Sequence, residues 1–354
     1  MYDIFDNISY ALDEMQVNWE IIFIEKPGMH YNSNLEKPNV IDVKHLKKYI
    51  ESNSDKGTIF FTIDDYYIAK TLFKMNLNAN LLIWAHYFMG HRFIFHKYNR
   101  TDHLFSISLP FRLSRILSEL VPNLILRILL RKYVGALSKA SVVSQSLWTD
   151  LLLERVYDIK TLGLLLIPVN PESFPINFTE RTSTLLLFLG NFDETELTLL
   201  YDSIQVVKEV MPIDGIDFFG TEETGQLFQN NFHIKLEYVG KVSKEKLSAH
   251  YQSHFLTICP IYNGTFEMVP IESLLSGTPV ISFIQPFMEV TGQSQMVANI
   301  LNLSEIRRKT LLWNRLDNEI RINERNKILD VMDSRKVAQQ FINYASDIMK
   351  RETA

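Results

Sequence analysis

Residues 259–281 read Cys259-Pro-Ile-Tyr-Asn-Gly-Thr-Phe-Glu-Met-Val-Pro-Ile-Glu-Ser-Leu-Leu-Ser-Gly-Thr-Pro-Val-Ile281. The stretch predicts a buried strand, a loop, a helix bearing Glu272, Gly277 as its C-cap and a second buried strand. The loop 264–268 runs straight into the helix, so its free N–H groups form a cradle for an anion. Glu272, one helical turn in, is placed to accept hydrogen bonds from hydroxyl groups.

The same alternation extends upstream. Strand-like runs fall at Thr184–Leu189, Ile216–Phe219, Ile234–Val239, Phe255–Cys259 and Pro279–Phe283, and helical patterns at Glu194–Val210, Glu222–Asn230, Ser243–Ser253 and Met268–Ser276. Alternating strands and helices predict a parallel sheet covered on both faces. The first half repeats this less cleanly: a helix over Ile4–Met15, then strand runs at Glu20–Glu25, Thr58–Ile63, Leu81–Ala85, Ser141–Ser144 and Leu164–Val169. Between the halves lie Pro168, Pro171 and Pro175, the composition of an interdomain linker. The expected layout is an N-terminal domain over 1–170, a C-terminal ligand-binding domain over 171–330 and a terminal helical segment over 331–354 that packs back on the first. The fold class is α/β, two doubly wound Rossmann-like domains facing a cleft.

Composition narrows the chemistry. The 354 residues carry 36 Lys+Arg against 41 Asp+Glu and contain one cysteine, Cys259, which excludes an intrachain disulfide or a cysteine-based zinc site. Only 13 glycines occur, and none are spaced Gly-x-Gly, so the dinucleotide fingerprint and the P-loop are both absent. Asp64 and Asp65, which follow the run Thr58–Ile63, fit a helix N-cap and first-turn acid better than a metal site. The acidic start Met1-Tyr-Asp-Ile-Phe-Asp lacks the apolar run of a secretory signal. The longest apolar runs are far short of the ~20 residues that span a bilayer, and a cytoplasmic chain is expected. Eight Lys/Arg between His91 and Lys132 face only Asp102 and Glu119. The basic amphipathic stretch 111–132 fits contact with an anionic membrane surface, hence a peripheral location on the inner face. No nucleic-acid partner is expected.

The segment 259–281 resembles the donor-binding motif of family-4-type retaining glycosyltransferases, which have the GT-B fold; Pro260, Phe266, Glu272, Gly277, Pro279 and Val280 match in register. Ala140–Ser144, Ile167–Asn170 with Phe174, Leu187–Gly190, Tyr238–Gly240 and Leu247 with Tyr251 also fall where that family places such residues. The resemblance implies that Glu272 binds the nucleotide ribose. It gives Phe266, Met268 and Val269 the donor phosphates through their backbone amides, and places Gly190 at the donor site. His86 matches a strand-end histidine near the donor sugar. It also implies a nucleotide-sugar co-substrate, no obligatory metal, no cofactor, and a glycan or lipid-linked acceptor.

Four positions depart from the pattern. Gly264 stands where the family has the first glutamate of its pair, and Glu267 replaces a family glycine, which leaves His86 and Glu267 as the catalytic candidates. Asn191 and Glu196 stand where the family has an arginine and a lysine for the donor diphosphate. Removing two cations and adding a carboxylate opposes a dianion, unless Lys241 or Lys244 substitutes. The N-terminus opens on the helix that in the family follows a first strand and glycine-rich turn. The expected function is therefore sugar transfer from a nucleotide-sugar with retention; the alternative is a catalytically inactive GT-B-like binding or partner subunit in glycan assembly.

Overall fold

The computed structural model describes residues 2–18, 22–25, 39–42, 45–53, 59–63, 80–85, 134–135, 137–177, 181–190, 192, 194–240, 242–261, 267–283, 288–291 and 294–353. The chain divides into two compact units: an N-terminal unit of Ile8–Leu166 with Ala338–Ala354, and a C-terminal unit of Ile167–Val337 with Met1–Asn7.

The N-terminal unit receives most of helix α1 (Tyr2–Glu14) and a parallel pair, β1 (Ile22–Glu25) with β2 (Asn39–Asp42), followed by α2 (Leu46–Asn53). A parallel three-stranded sheet follows, with β4 (Asn80–Ala85) between β3 (Ile59–Ile63) and β5 (Ser141–Ser144). Leu82, Trp84 and Ala85 in β4 are fully buried, which is why this strand reads as an unbroken apolar run. Leu81, Ile83 and Val142 pack with Leu153 of α3 (Leu147–Tyr157). Ser146 caps α3 by accepting the Thr149 N–H at 3.1 Å, and Asp158 closes it in the left-handed region at φ 54°.

In the C-terminal unit the strands are β6 (Thr184–Leu189), β7 (Gly215–Gly220), β8 (Glu237–Tyr238), β9 (Leu256–Cys259), β10 (Val280–Ser282) and β11 (Val297–Asn299). They form one parallel sheet in the order β11-β10-β9-β6-β7-β8. Counted from β8 this is third, second, first, fourth, fifth, sixth, the doubly wound order. Leu185, Leu187 and Leu189 face Leu197, Leu200, Ile204 and Val207 of α4 (Glu194–Val210). Leu186 faces the other way, onto Tyr251 of α6 (Lys244–Ser253) and Val269 of α7 (Met268–Leu275). Gly220, which ends β7 at φ 116°, is held there by crowding: a Cβ would stand 2.1 Å from the Leu189 carbonyl oxygen. The remaining helices are α5 (Glu222–Phe232), α8 (Met288–Thr291), α9 (Leu303–Trp313) and α10 (Asn318–Met332), and α11 (Ser334–Thr353) carries the chain back into the N-terminal unit. There Tyr344 donates to the Leu164 carbonyl at 3.0 Å.

Two strand expectations shrink. Leu164–Val169 makes only an isolated bridge at each end, and Ile234–Val239 reduces to the two residues of β8. The three-proline segment is strapped to the C-terminal unit: Arg325 donates to the carbonyls of Pro171 and Phe174, and Gln252 binds the Pro175 carbonyl and the Asn177 N–H.

Candidate functional site

In the C-terminal unit the strand order reverses between β6 and β9, and ligands of doubly wound sheets lie beyond the carboxyl ends of the strands at such a point. Here those ends are Leu189–Gly190 and Cys259–Pro260. The Gly190 carbonyl accepts the Phe192 N–H at 3.0 Å, and a Cβ on Gly190 would lie 3.0 Å from the Phe192 ring. The chain then enters α4, whose first turn carries Glu196, a buried carboxylate. The exit from β9 leads to Glu267, which holds the N-cap position of α7, and then to Met268 and Val269 in its first turn. Pro270 follows and has no N–H to offer, so the amides at this helix start that lack an intrahelical acceptor are chiefly those of Met268 and Val269.

Glu272 is half-buried one turn into α7, and its Oε2 accepts a hydrogen bond from the Tyr251 hydroxyl at 3.1 Å. Tyr251 is fully buried, and burial, reinforced by the Glu272 carboxylate, holds its hydroxyl well above the usual phenol range, so it remains a donor. Glu267 is pushed up to about 7, first by burial and then by the Glu272 charge; the N–H groups of Met268 and Val269 pull it down, and Glu196 adds a further upward push. The Cys259 thiol beneath is raised by burial and by Glu267. It is an inert core group. Among the described residues no three His, Cys, Asp or Glu side chains are grouped to hold a metal ion.

The structure thus brings Gly190, Glu267, Met268, Val269 and Glu272 to one edge of one sheet. Phe266, His86, Gly264, Asn191 and Lys241 lie outside the described residues, as do Asp64, Asp65 and the basic stretch 111–132. Two features of the site depart from the motif's outline. Glu196 is buried and within electrostatic reach of Glu267, so it belongs to the site's interior. The two amides expected to cradle phosphate already stabilise the chain's own Glu267 carboxylate. Tyr251 was legible only as part of the spacing Leu247…Tyr251, which places it in the last turn of α6 without revealing its Glu272 contact.

No protein-family model and no curated protein matches the chain. Solved structures do match. A sucrose-phosphate synthase from Thermosynechococcus elongatus superposes with a TM-score of 0.65 at 14% identity, over 97% of this chain and 92% of that one. A glycosyltransferase from Rickettsia africae gives a TM-score of 0.63 at 14% identity, over 98% and 94%. The fold is GT-B. A variant of S. aureus TarM, in complex with fondaparinux, α-GlcNAc-glycerol and UDP, also matches this GT-B chain, with a TM-score of 0.59 at 13% identity, over 86% of this chain and 58% of TarM. Among the described residues no helix is long and apolar enough to cross a membrane.

Proposed function

We propose that the chain is a glycosyltransferase that moves a sugar from a nucleotide-sugar donor to a glycan or lipid-linked acceptor, with retention at the anomeric carbon and no obligatory metal. The observation that carries this is Glu272, fixed by Tyr251 one turn into α7 at the carboxyl edge beside the switch point. Glu272 would accept the ribose hydroxyls, and the N–H groups of Met268 and Val269 would meet the donor phosphates. Near neutral pH a protonated Glu267 can itself donate to a phosphate oxygen in place of repelling it. His86 is proposed beside the donor sugar, and the segment 111–132 at an anionic membrane surface, which vesicle co-sedimentation with Arg112, Arg115, Arg127 and Arg131 replaced by alanine would test. The main test is a thermal-shift screen of UDP, GDP and their sugars. Ligand at 100-fold over its dissociation constant adds about 2.7 kcal/mol, a rise of several degrees. No response to any nucleotide or nucleotide-sugar would sink the donor site.

A non-catalytic partner subunit is favoured by one observation, the buried Glu196 where the resembled family carries a cation. Sugar transfer that proceeds in chelator and disappears in Glu272→Ala would exclude it.

A further inference from the structure

The turn that follows β5 in the N-terminal unit is wired together almost completely. Ser144 Oγ donates to Asp150 Oδ1 at 3.0 Å, and Thr161 donates to the same oxygen. Ser146 Oγ accepts the Thr149 N–H at 3.1 Å and pairs with Thr149 Oγ1 at 3.0 Å. Gln145 sits in the middle of this network and takes no part in it. Its side chain is fully buried, and neither Oε1 nor Nε2 has a hydrogen-bond partner among the described residues.

A buried amide without partners is destabilising relative to an apolar group of the same shape, because it has given up its water and gained nothing in return. A leucine would fill the same space without that penalty, so the amide needs a partner that arrives from outside. Its place in the fold says where. Ser144 is in register with Ala85, the last residue of β4, so Gln145 is the first residue beyond the carboxyl edge of a parallel sheet. It also immediately precedes Ser146, the N-cap of the eleven-residue helix α3. Carboxyl edges of such sheets are where doubly wound domains hold ligands. An amide presents a donor and an acceptor side by side, and a pair of neighbouring sugar hydroxyls, each able to donate and accept, complements both.

We infer that Gln145 is a sugar-recognition residue of the N-terminal unit, its amide binding adjacent hydroxyls of the substrate carbohydrate; this rests on the glycosyltransferase function proposed above. Gln145→Leu and Gln145→Met are compared with the wild type by thermal unfolding, alone and with UDP, UDP-glucose and a panel of free mono- and disaccharides. The expected result is a melting temperature equal to or above wild type without ligand, an unchanged response to UDP, and at least an approximately tenfold loss of affinity for the sugars. A melting temperature several degrees lower in both variants, or failure of both to fold, would assign the amide to a structural partner and overturn the inference. So would unaltered sugar affinity, or a wild type that responds to UDP and to no sugar. A wild type deaf to UDP, UDP-glucose and sugars alike would instead bring down the proposed function, and this inference with it.

Discussion

The two ends of α7 are built in opposite ways. At its C-terminal end, Arg181 and Arg321 both donate to the Gly277 carbonyl, the latter at 3.2 Å, and Arg325 donates to the Leu275 carbonyl at 2.6 Å. At its N-terminal end stand Glu267 and Glu272, with Glu196 close enough to be felt. Cations at a helix C-terminus and anions at its N-terminus both suit the macrodipole, yet the outcomes differ. The arginines reach fixed carbonyls, and burial lowers their affinity for the proton without unpairing them from the backbone. The carboxylates act against each other, and Glu267 is raised to about 7. One end closes a structure; the other holds charge in tension at the edge where a ligand would bind, as sites of perturbed acids commonly do.

Arg325→Ala should break the contrast most strongly, because it removes the guanidinium shared by the carbonyls of Pro171, Phe174 and Leu275, of which Pro171 keeps only the Phe174 N–H. Losing several charge-assisted hydrogen bonds should cost about 4 kcal/mol, or about 8–16 °C in melting temperature for a unit of this size. Arg325→Lys should recover only part of this, since one ammonium cannot span the three acceptors as a fork does. Nucleotide affinity at the far end of α7 should be unaltered in the Lys variant.

Next in size is Glu272→Ala. Under the proposed function it should weaken nucleotide-sugar binding by about 100-fold, or about 2.7 kcal/mol, read by titration of the thermal shift. Tyr251→Phe, which removes the hydroxyl that fixes Glu272, should weaken it by a smaller factor with the fold intact. Equal affinity in wild type and Glu272→Ala would dissociate this end of the helix from any donor.

How far the sequence foretold this contrast can be seen residue by residue. The element pattern of the C-terminal unit was legible because its strands are buried on both faces and end in turns: β6 and α4 lie at the predicted bounds, Thr184–Leu189 and Glu194–Val210. β11, α9 and α10 were not foreseen. β11 has three residues, and α10 buries only Glu324, Ile328 and Met332, a stripe too thin to show as periodicity. Glu267, Met268, Val269 and Glu272 were readable as a motif at fixed spacing. The burial of Glu196 and the Tyr251–Glu272 bond were not, because they depend on which strand neighbours which, and β6 and β9 are about seventy residues apart in the chain. The arginine cluster was invisible for the same reason: Arg181, Arg321 and Arg325 meet Gly277 and Leu275 only through the tertiary fold.

Glu267→Gln sharpens the comparison through pH. The folded pKa of about 7 lies above the ordinary carboxylate value of 4.5, so between those values the folded chain keeps a proton that the unfolded chain has released. Stability is therefore greatest below about pH 4.5 as far as this group is concerned, and falls as pH rises through 7. The variant should match wild type at pH 5 and exceed it at pH 8 by about 2 kcal/mol, the part of the shift that falls between those two pH values. Melting curves at both pH values check this. A wild type and variant with parallel profiles would show that Glu267 is not held in tension at all.

The smallest effect belongs to Glu196→Gln. Glu196 is the last and weakest of the causes that raise Glu267, after burial and Glu272, so removing its charge should ease the ionisation of Glu267 by about 0.5 kcal/mol or less. The fall in stability between pH 5 and pH 8 should become slightly shallower and shift toward acid. At pH 8 nucleotide binding should improve by a small factor, since a carboxylate beside a diphosphate is a repulsion. If the tension at this end of α7 exists to be relieved by ligand protonation or phosphate hydrogen bonding, Glu196→Gln and Glu267→Gln should raise nucleotide affinity at pH 8 and leave it unchanged at pH 5. If instead both variants lose affinity at pH 8, the carboxylates themselves hold the ligand, and a partner richer in hydroxyls or positive charge than a nucleotide diphosphate takes precedence over the donor.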